Sequence, residues 1–218
     1  MLDFVSRSVP EYCERIENSF LSEPLNLVSN LAFFVSAIFV YRLYKSRKVT
    51  KFSYWFLFLL LLFIGVGSTL WHSFRNPYTL ALDAIPVFIL LLSFIYILFR
   101  RILNNSFAAL ILALIFFLFQ VGVSYLFPQV LNGSIRHFVN ACIFIVLGGL
   151  VYKVNPVIRR DIVAAIILYI LAITFRSVDN LVCPYFSIGT HFLWHILNAT
   201  AAYFAIKTLL EIKPFIIK

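Results

Sequence analysis

Apolar runs of nearly bilayer-spanning length recur along almost the whole chain, and this leaves few folds open to it. They cover about 25–44, 52–74, 79–99, 106–127, 135–152, 162–178 and 188–210, each near the ~20 residues that carry an α-helix across a hydrocarbon core. With 62% hydrophobic and 12% charged residues and a mean hydropathy of +0.97, the composition lies far from that of soluble domains. The expected fold is an all-α bundle of seven transmembrane helices. It forms a single domain over residues 1–218, with 1–24 as an acidic N-terminal segment. Short connections leave no room for a second soluble domain, and neither a low-complexity tract nor an internal repeat is evident.

The net charge of +9 could suggest a nucleic-acid partner, but its distribution speaks for topology instead. All of the 18 Lys and Arg residues except Arg7, Arg15, Arg75, Arg136 and Arg176 fall beside the first, third and fifth connections or at the C-terminus. The positive-inside rule then puts the C-terminus in the cytoplasm and the N-terminus outside. The segment bearing Asp3, Glu11, Glu14, Glu17 and Glu23 lacks the pattern of a cleavable signal, so the first helix is expected to act as the targeting signal.

Within these runs sit groups that hydrocarbon does not tolerate without a purpose: Ser68 and His72 at the end of the second, Asp83 at the start of the third, His191 and His195 at the start of the seventh. Ionisable residues at membrane depth are candidates for a functional site. In the topology drawn from the basic residues, all five lie toward the non-cytoplasmic face. Residues four apart share a helix face, so Ser68 aligns with His72 and His191 with His195. Two imidazoles one turn apart plus a third from another helix make a three-histidine zinc site with its fourth position open for water, the pattern of catalytic zinc. Asp83 follows a turn at Arg75, Asn76 and Pro77 that swings its carboxylate back toward the metal.

Other polar residues receive ordinary readings. His137 is expected to be an interfacial or hydrogen-bonded residue, Asp179 and Arg176 an ion pair at the outer end of the sixth helix, and Cys142 a small core residue. Asn26, Asn30, Asn140 and Asn198 suit interhelical hydrogen bonds, some of them orienting ligand histidines. Cys13 and Cys183 both fall on the outer side, where oxidation is permitted, and a bridge between them would tie the N-terminal segment to the loop before the seventh helix.

The stretch from Gly67 to His72 with Asp83 after it, the stretch from His191 to His195, and the N-terminal Glu11 to Glu14, Glu23 to Asn26, Ser29 and Asn30 resemble the alkaline ceramidases. These belong to a wider superfamily of seven-helix membrane hydrolases that includes adiponectin-receptor-like proteins. The resemblance touches helices 1, 2, 3 and 7, while helices 4 to 6 match only in hydrophobicity. It implies hydrolysis of the amide of ceramide or a related N-acyl lipid, with His72, His191 and His195 binding zinc, Ser68 steadying the oxyanion and Asp83 moving protons. The chemistry is consistent: zinc acidifies its water and polarises a carbonyl, a carboxylate relays the proton, and a hydroxyl donates to the developing oxyanion.

Animal members also carry a calcium site at the N-terminus, which Glu11, Glu14, Glu23 and either Glu17 or Asn18 would reproduce here. Tyr12 stands where the family often has Trp and Glu11 where it often has Asp, and the segment between Cys13 and Glu23 is shorter. The other reading of these residues is a solvated acidic tail, with Ser22 or Glu23 capping the first helix and Pro24 in its first turn. The resemblance implies a lipid substrate in a membrane and no obligatory protein partner. Compact loops and short termini look more like a bacterial member, placed in the inner membrane, than an animal one in the ER or Golgi. The rival class is a seven-helix lipid-binding or receptor protein with a structural metal. That receptor branch is expected to have the opposite orientation. A retinal protein is disfavoured because the seventh helix has no lysine before Lys207.

Overall fold

The computed structural model describes residues 12–15, 19–154 and 159–212. Among these, the apolar runs form α1 (Pro24–Ser46, stepping at Asn30), α2 (Phe52–Phe74), α3 (Pro77–Leu103), α4 (Ser106–Leu126), α5 (Ile135–Val154), α6 (Arg159–Val182) and α7 (His191–Glu211). Local chemistry sets their starts. Asn76 Oδ1 accepts from the Tyr78 and Thr79 amides while the Thr79 hydroxyl accepts from the Asn76 amide, a reciprocal cap with Pro77 in the first turn of α3. Asn105 opens α4 in the same way, accepting from the amides of Phe107 and Ala108.

α1, α2, α3, α4 and α6 are long and apolar enough to cross a membrane by length and composition. α5 contributes a shorter apolar stretch, Ile135–Val146, and α7 is diluted by His191, His195, Asn198 and Lys207. The reason for the polarity of α7 is its place in the bundle. It packs against α6, α1 and α3 and buries Ala199, Ala201, Ala205, Ile206 and Leu209, so much of its surface meets protein rather than lipid. Outward-facing Phe63, Leu118, Phe119 and Ile167 supply apolar surface on α2, α4 and α6. Cys142 joins that exposed surface instead of the core expected for it; a thiol is apolar enough for either setting.

At one end of the bundle, away from the histidines, Tyr44, Leu57, Leu61, Ile95, Ile206 and Leu209 from α1, α2, α3 and α7 form a close-packed core. At the other end the α2–α3 pair approaches backbone to backbone. A Cβ added to Gly67 would lie 2.0 Å from the Leu82 carbonyl oxygen, so only glycine permits this contact, and it brings Ser68 opposite Asp83. Residues 12–15 lie at this end, where Cys13 and Cys183 form a disulfide with their Cα atoms 5.3 Å apart.

Candidate metal centre and active site

The three histidines arrive from two helices whose ends meet. His72 is in the last turn of α2, His191 begins α7 and His195 follows one turn on. Their relative exposures are 1%, 1% and 2%, their ring centroids lie 4.7 to 5.3 Å apart, and one potential ligand atom from each falls within 4.8 Å of the others. Two of the rings are fixed from behind. Glu23 Oε2 lies 2.5 Å from His72 Nδ1 and the Ser29 hydroxyl 2.7 Å from His195 Nδ1, which leaves Nε2 of each ring for another partner. His191 Nδ1 is buried with no hydrogen-bond partner. A buried, unpartnered imidazole nitrogen beside two oriented imidazoles suits a metal of the zinc type, whose ligand histidines are commonly held through their other ring nitrogen.

Glu23 is a hub. It is buried, and besides His72 it meets Arg15 Nε at 2.5 Å, Arg75 at 3.5 Å and the Asn26 side-chain amide at 3.1 Å. Burial opposes its ionisation, but the hydrogen bond and charge of His72 and the Arg15 guanidinium outweigh that and hold its carboxyl down at about 2. It stands at the N-cap position of α1 without making a capping bond. Glu14 takes that role, accepting from the amides of Leu25 and Asn26 at 2.6 and 2.8 Å, so neither Ser22 nor Glu23 caps the helix. Of the residues named for calcium, Glu14 and Glu23 are thus engaged in these contacts, while Glu11, Glu17 and Asn18 lie outside the described residues.

His191 is positioned by a second carboxylate. Asp179 of α6 accepts from the amides of Cys13, Thr190 and His191 at 3.0, 2.6 and 2.9 Å, closing the start of α7 where Thr190 makes no side-chain cap. Gly189, at φ +69°, allows the turn, since an added Cβ would sit 2.3 Å from that carboxylate. The expected Asp179–Arg176 ion pair is therefore absent: three backbone donors occupy the acid, and Arg176 instead donates to the Tyr12 hydroxyl at 3.3 Å. The Tyr12 ring stacks on His191 at 3.8 Å.

Ser68 is buried and its hydroxyl lies near the Asp83 carboxylate, which is within electrostatic reach of His72. Both line a cavity of about 360 Å³ that His195 also borders. Its lining includes the polar Arg136, His137, Gln120, Asn140 and Arg176. Phe33, Ile64, Val87 and Leu91, with Asn140 and Asn198, also border a smaller, mostly apolar space of about 80 Å³ that reaches Phe94 and Phe144. His137 is buried in this lining, 3.4 Å from both the Tyr169 hydroxyl and Arg136 Nε and tilted against Trp194 at 4.6 Å; of the two readings expected for it, the hydrogen-bonded one holds. Asn140 joins helices, accepting from Gln120 of α4 and donating to Tyr169 of α6.

A family model for ceramidases matches residues 6–213, nearly the whole chain. The chain belongs to the ceramidase family. That membership supports a ceramide-hydrolase kind of function, an amidohydrolase acting on a lipid in a membrane. A search of curated proteins finds no match.

Beyond the five residues that the spacing pointed to, several others shape this candidate site in the ceramidase-family chain. Ser29 and Glu23 orient two histidines, Asp179 orients the helix that carries two of them, and Tyr12 covers the third side. The one legible sign of Asp179 was an acid at membrane depth twelve residues before His191, with a glycine between them. Ser29 carried no signal that separates it from any other helix serine.

Proposed function

We propose that this chain is a zinc-dependent hydrolase working inside the membrane, and that it cleaves the amide of ceramide or a related N-acyl lipid. The observation that carries this reading is the buried trio of His72, His191 and His195, two with Nδ1 engaged by Glu23 and Ser29 and the third with an unpartnered nitrogen. Bound zinc would lower the pKa of a water toward ~7 and polarise the scissile carbonyl. Asp83 accepts the proton of the attacking water and returns it to the departing amine. Ser68, beside Asp83, donates its hydroxyl to the oxygen on which negative charge develops. The narrow apolar space beyond Phe33 and Leu91 accommodates part of the acyl chain and excludes water from it.

The asymmetry of basic residues supports seven membrane crossings with the N-terminus outside, and hence an active site on the non-cytoplasmic side. A bridge at Cys13 is compatible with that compartment.

The test is to purify the protein in detergent, measure its zinc, and assay fatty-acid release from a panel of N-acyl lipids beside His191→Ala. The expected result is zinc near one equivalent and turnover in the wild type, with both lost in the variant. Wild-type turnover retained by a zinc-free His191→Ala protein would overturn the reading. Bound zinc with no turnover of any amide would favour a lipid-binding or receptor protein.

A further inference from the structure

The cavity beside the histidines has a cationic wall that amide hydrolysis by itself does not employ. Arg176 is 4% exposed yet borders the open space. Its Nε has no hydrogen-bond partner, and its guanidinium lies 5.8 Å from the Tyr12 ring and 5.5 Å from the Trp194 ring. Arg136, at the start of α5, lines the same space beside Phe88 and His137. Neither arginine forms an ion pair among the described residues. Among the described residues lining the cavity, Asp83 is the one carboxylate, and it lies within electrostatic reach of both guanidiniums. Two cations therefore face one anion, and a metal at the histidines would add to the imbalance. Gln120 Oε1 and Ser124 Oγ on the same wall are also buried without partners.

Uncompensated charge in a low-dielectric interior is unfavourable, and a guanidinium held by aromatic rings is well suited to a carboxylate, sulfonate or phosphate. The adjoining space that shares Phe33, Ile64, Val87 and Leu91 with the cavity is mostly apolar and does not include the arginines, so the acyl chain belongs there and the arginine-lined part is left for the amine-side head. We propose that Arg136 and Arg176 bind an acidic group on the amine side of the scissile amide, making the preferred substrate an N-acyl lipid with an anionic head. This assignment rests on the hydrolase reading for the position of the amide.

The probes are the ketone isostere of N-myristoylglycine, in which a methylene replaces the amide N–H, and the carboxamide of that ketone, which has the same shape without the charge. Neither can be hydrolysed at the amide position, so binding is measured independently of turnover, by titration against the full-length protein in neutral-detergent micelles. Wild-type protein should bind the acid roughly tenfold or more tightly than the carboxamide, the scale of a hydrogen bond to a charged group. Arg136→Gln and Arg176→Gln should each bring that ratio toward one. Equal binding of the two ketones by the wild type, or a ratio untouched by both variants, overturns the proposal. Myristate binding as tightly as the keto acid also overturns it, because the anion recognised would then be the acyl product. Should the glutamine variants fail to fold, the wild-type ratio and the myristate comparison still decide. Cleavage of neutral N-acyl lipids with no preference for the acid would sink this inference and leave the hydrolase standing.

Discussion

Along α2, Tyr54, Leu57 and Leu61 are sunk in a close-packed apolar core, whereas about two turns beyond Leu61 Ser68 borders a cavity of about 360 Å³, with His72 one turn further on. The same helix thus fills space at one end and holds it open at the other. At the packed end, position is set by the shapes of neighbouring side chains, with each residue touching many others. At the site end it is set by single directed contacts: a carboxylate on His72, a hydroxyl on His195, three amides on Asp179. The difference teaches that damage should be graded at the packed end and specific at the other. A lost methyl group is shared among neighbours, whereas a lost hydrogen bond releases one particular atom.

The sharpest way to break this contrast is Gly67→Ala. Its added methyl meets the Leu82 backbone, which cannot yield as a side chain can, so α2 and α3 must separate and Ser68 must leave Asp83. Fatty-acid release should fall to background while the protein still folds, as read by size-exclusion profile and circular dichroism. Normal turnover would show that the close approach is dispensable. Next in size, Ser68→Ala should keep the metal and slow turnover by about 10²- to 10³-fold, the usual cost of removing an oxyanion donor. An unchanged rate would remove Ser68 from the chemistry. Glu23→Gln should weaken metal retention by roughly 10- to 100-fold, in line with other partners of ligand histidines, measured by competition with a chelator. Leu61→Ala, at the packed end, should lower stability by roughly 2 to 5 kcal/mol, seen as a lower midpoint of thermal unfolding in detergent, with metal content and the rate per folded molecule almost unchanged. Loss of metal in that variant would mean the two ends are not separable.

Much of this was legible along the chain, and the reasons are local. Helix limits follow from hydropathy and from punctuation such as Asn76–Pro77, and the runs expected at 79–99 and 162–178 prove longer, as Pro77–Leu103 and Arg159–Val182. The meeting of His72, His191 and His195 was readable because a spacing of four has a fixed geometric meaning on a helix. The partners that orient them were not, since Glu23–His72 and Ser29–His195 pair residues 49 and 166 positions apart and no periodicity encodes such a pairing. Arg176 and Asp179 show the opposite failure. Three residues apart on α6, they invited an ion pair, but tertiary contacts with Tyr12 and with the start of α7 claimed each of them separately.

The bond between Ser29 and His195 joins the first helix to the last, and Cys13 is joined to Cys183 across a comparable interval. During synthesis a nascent chain therefore has no assembled centre until its final helix has left the ribosome and entered the bundle. A chain that ends before His191 lacks two of the three imidazoles and so cannot gather the trio at all.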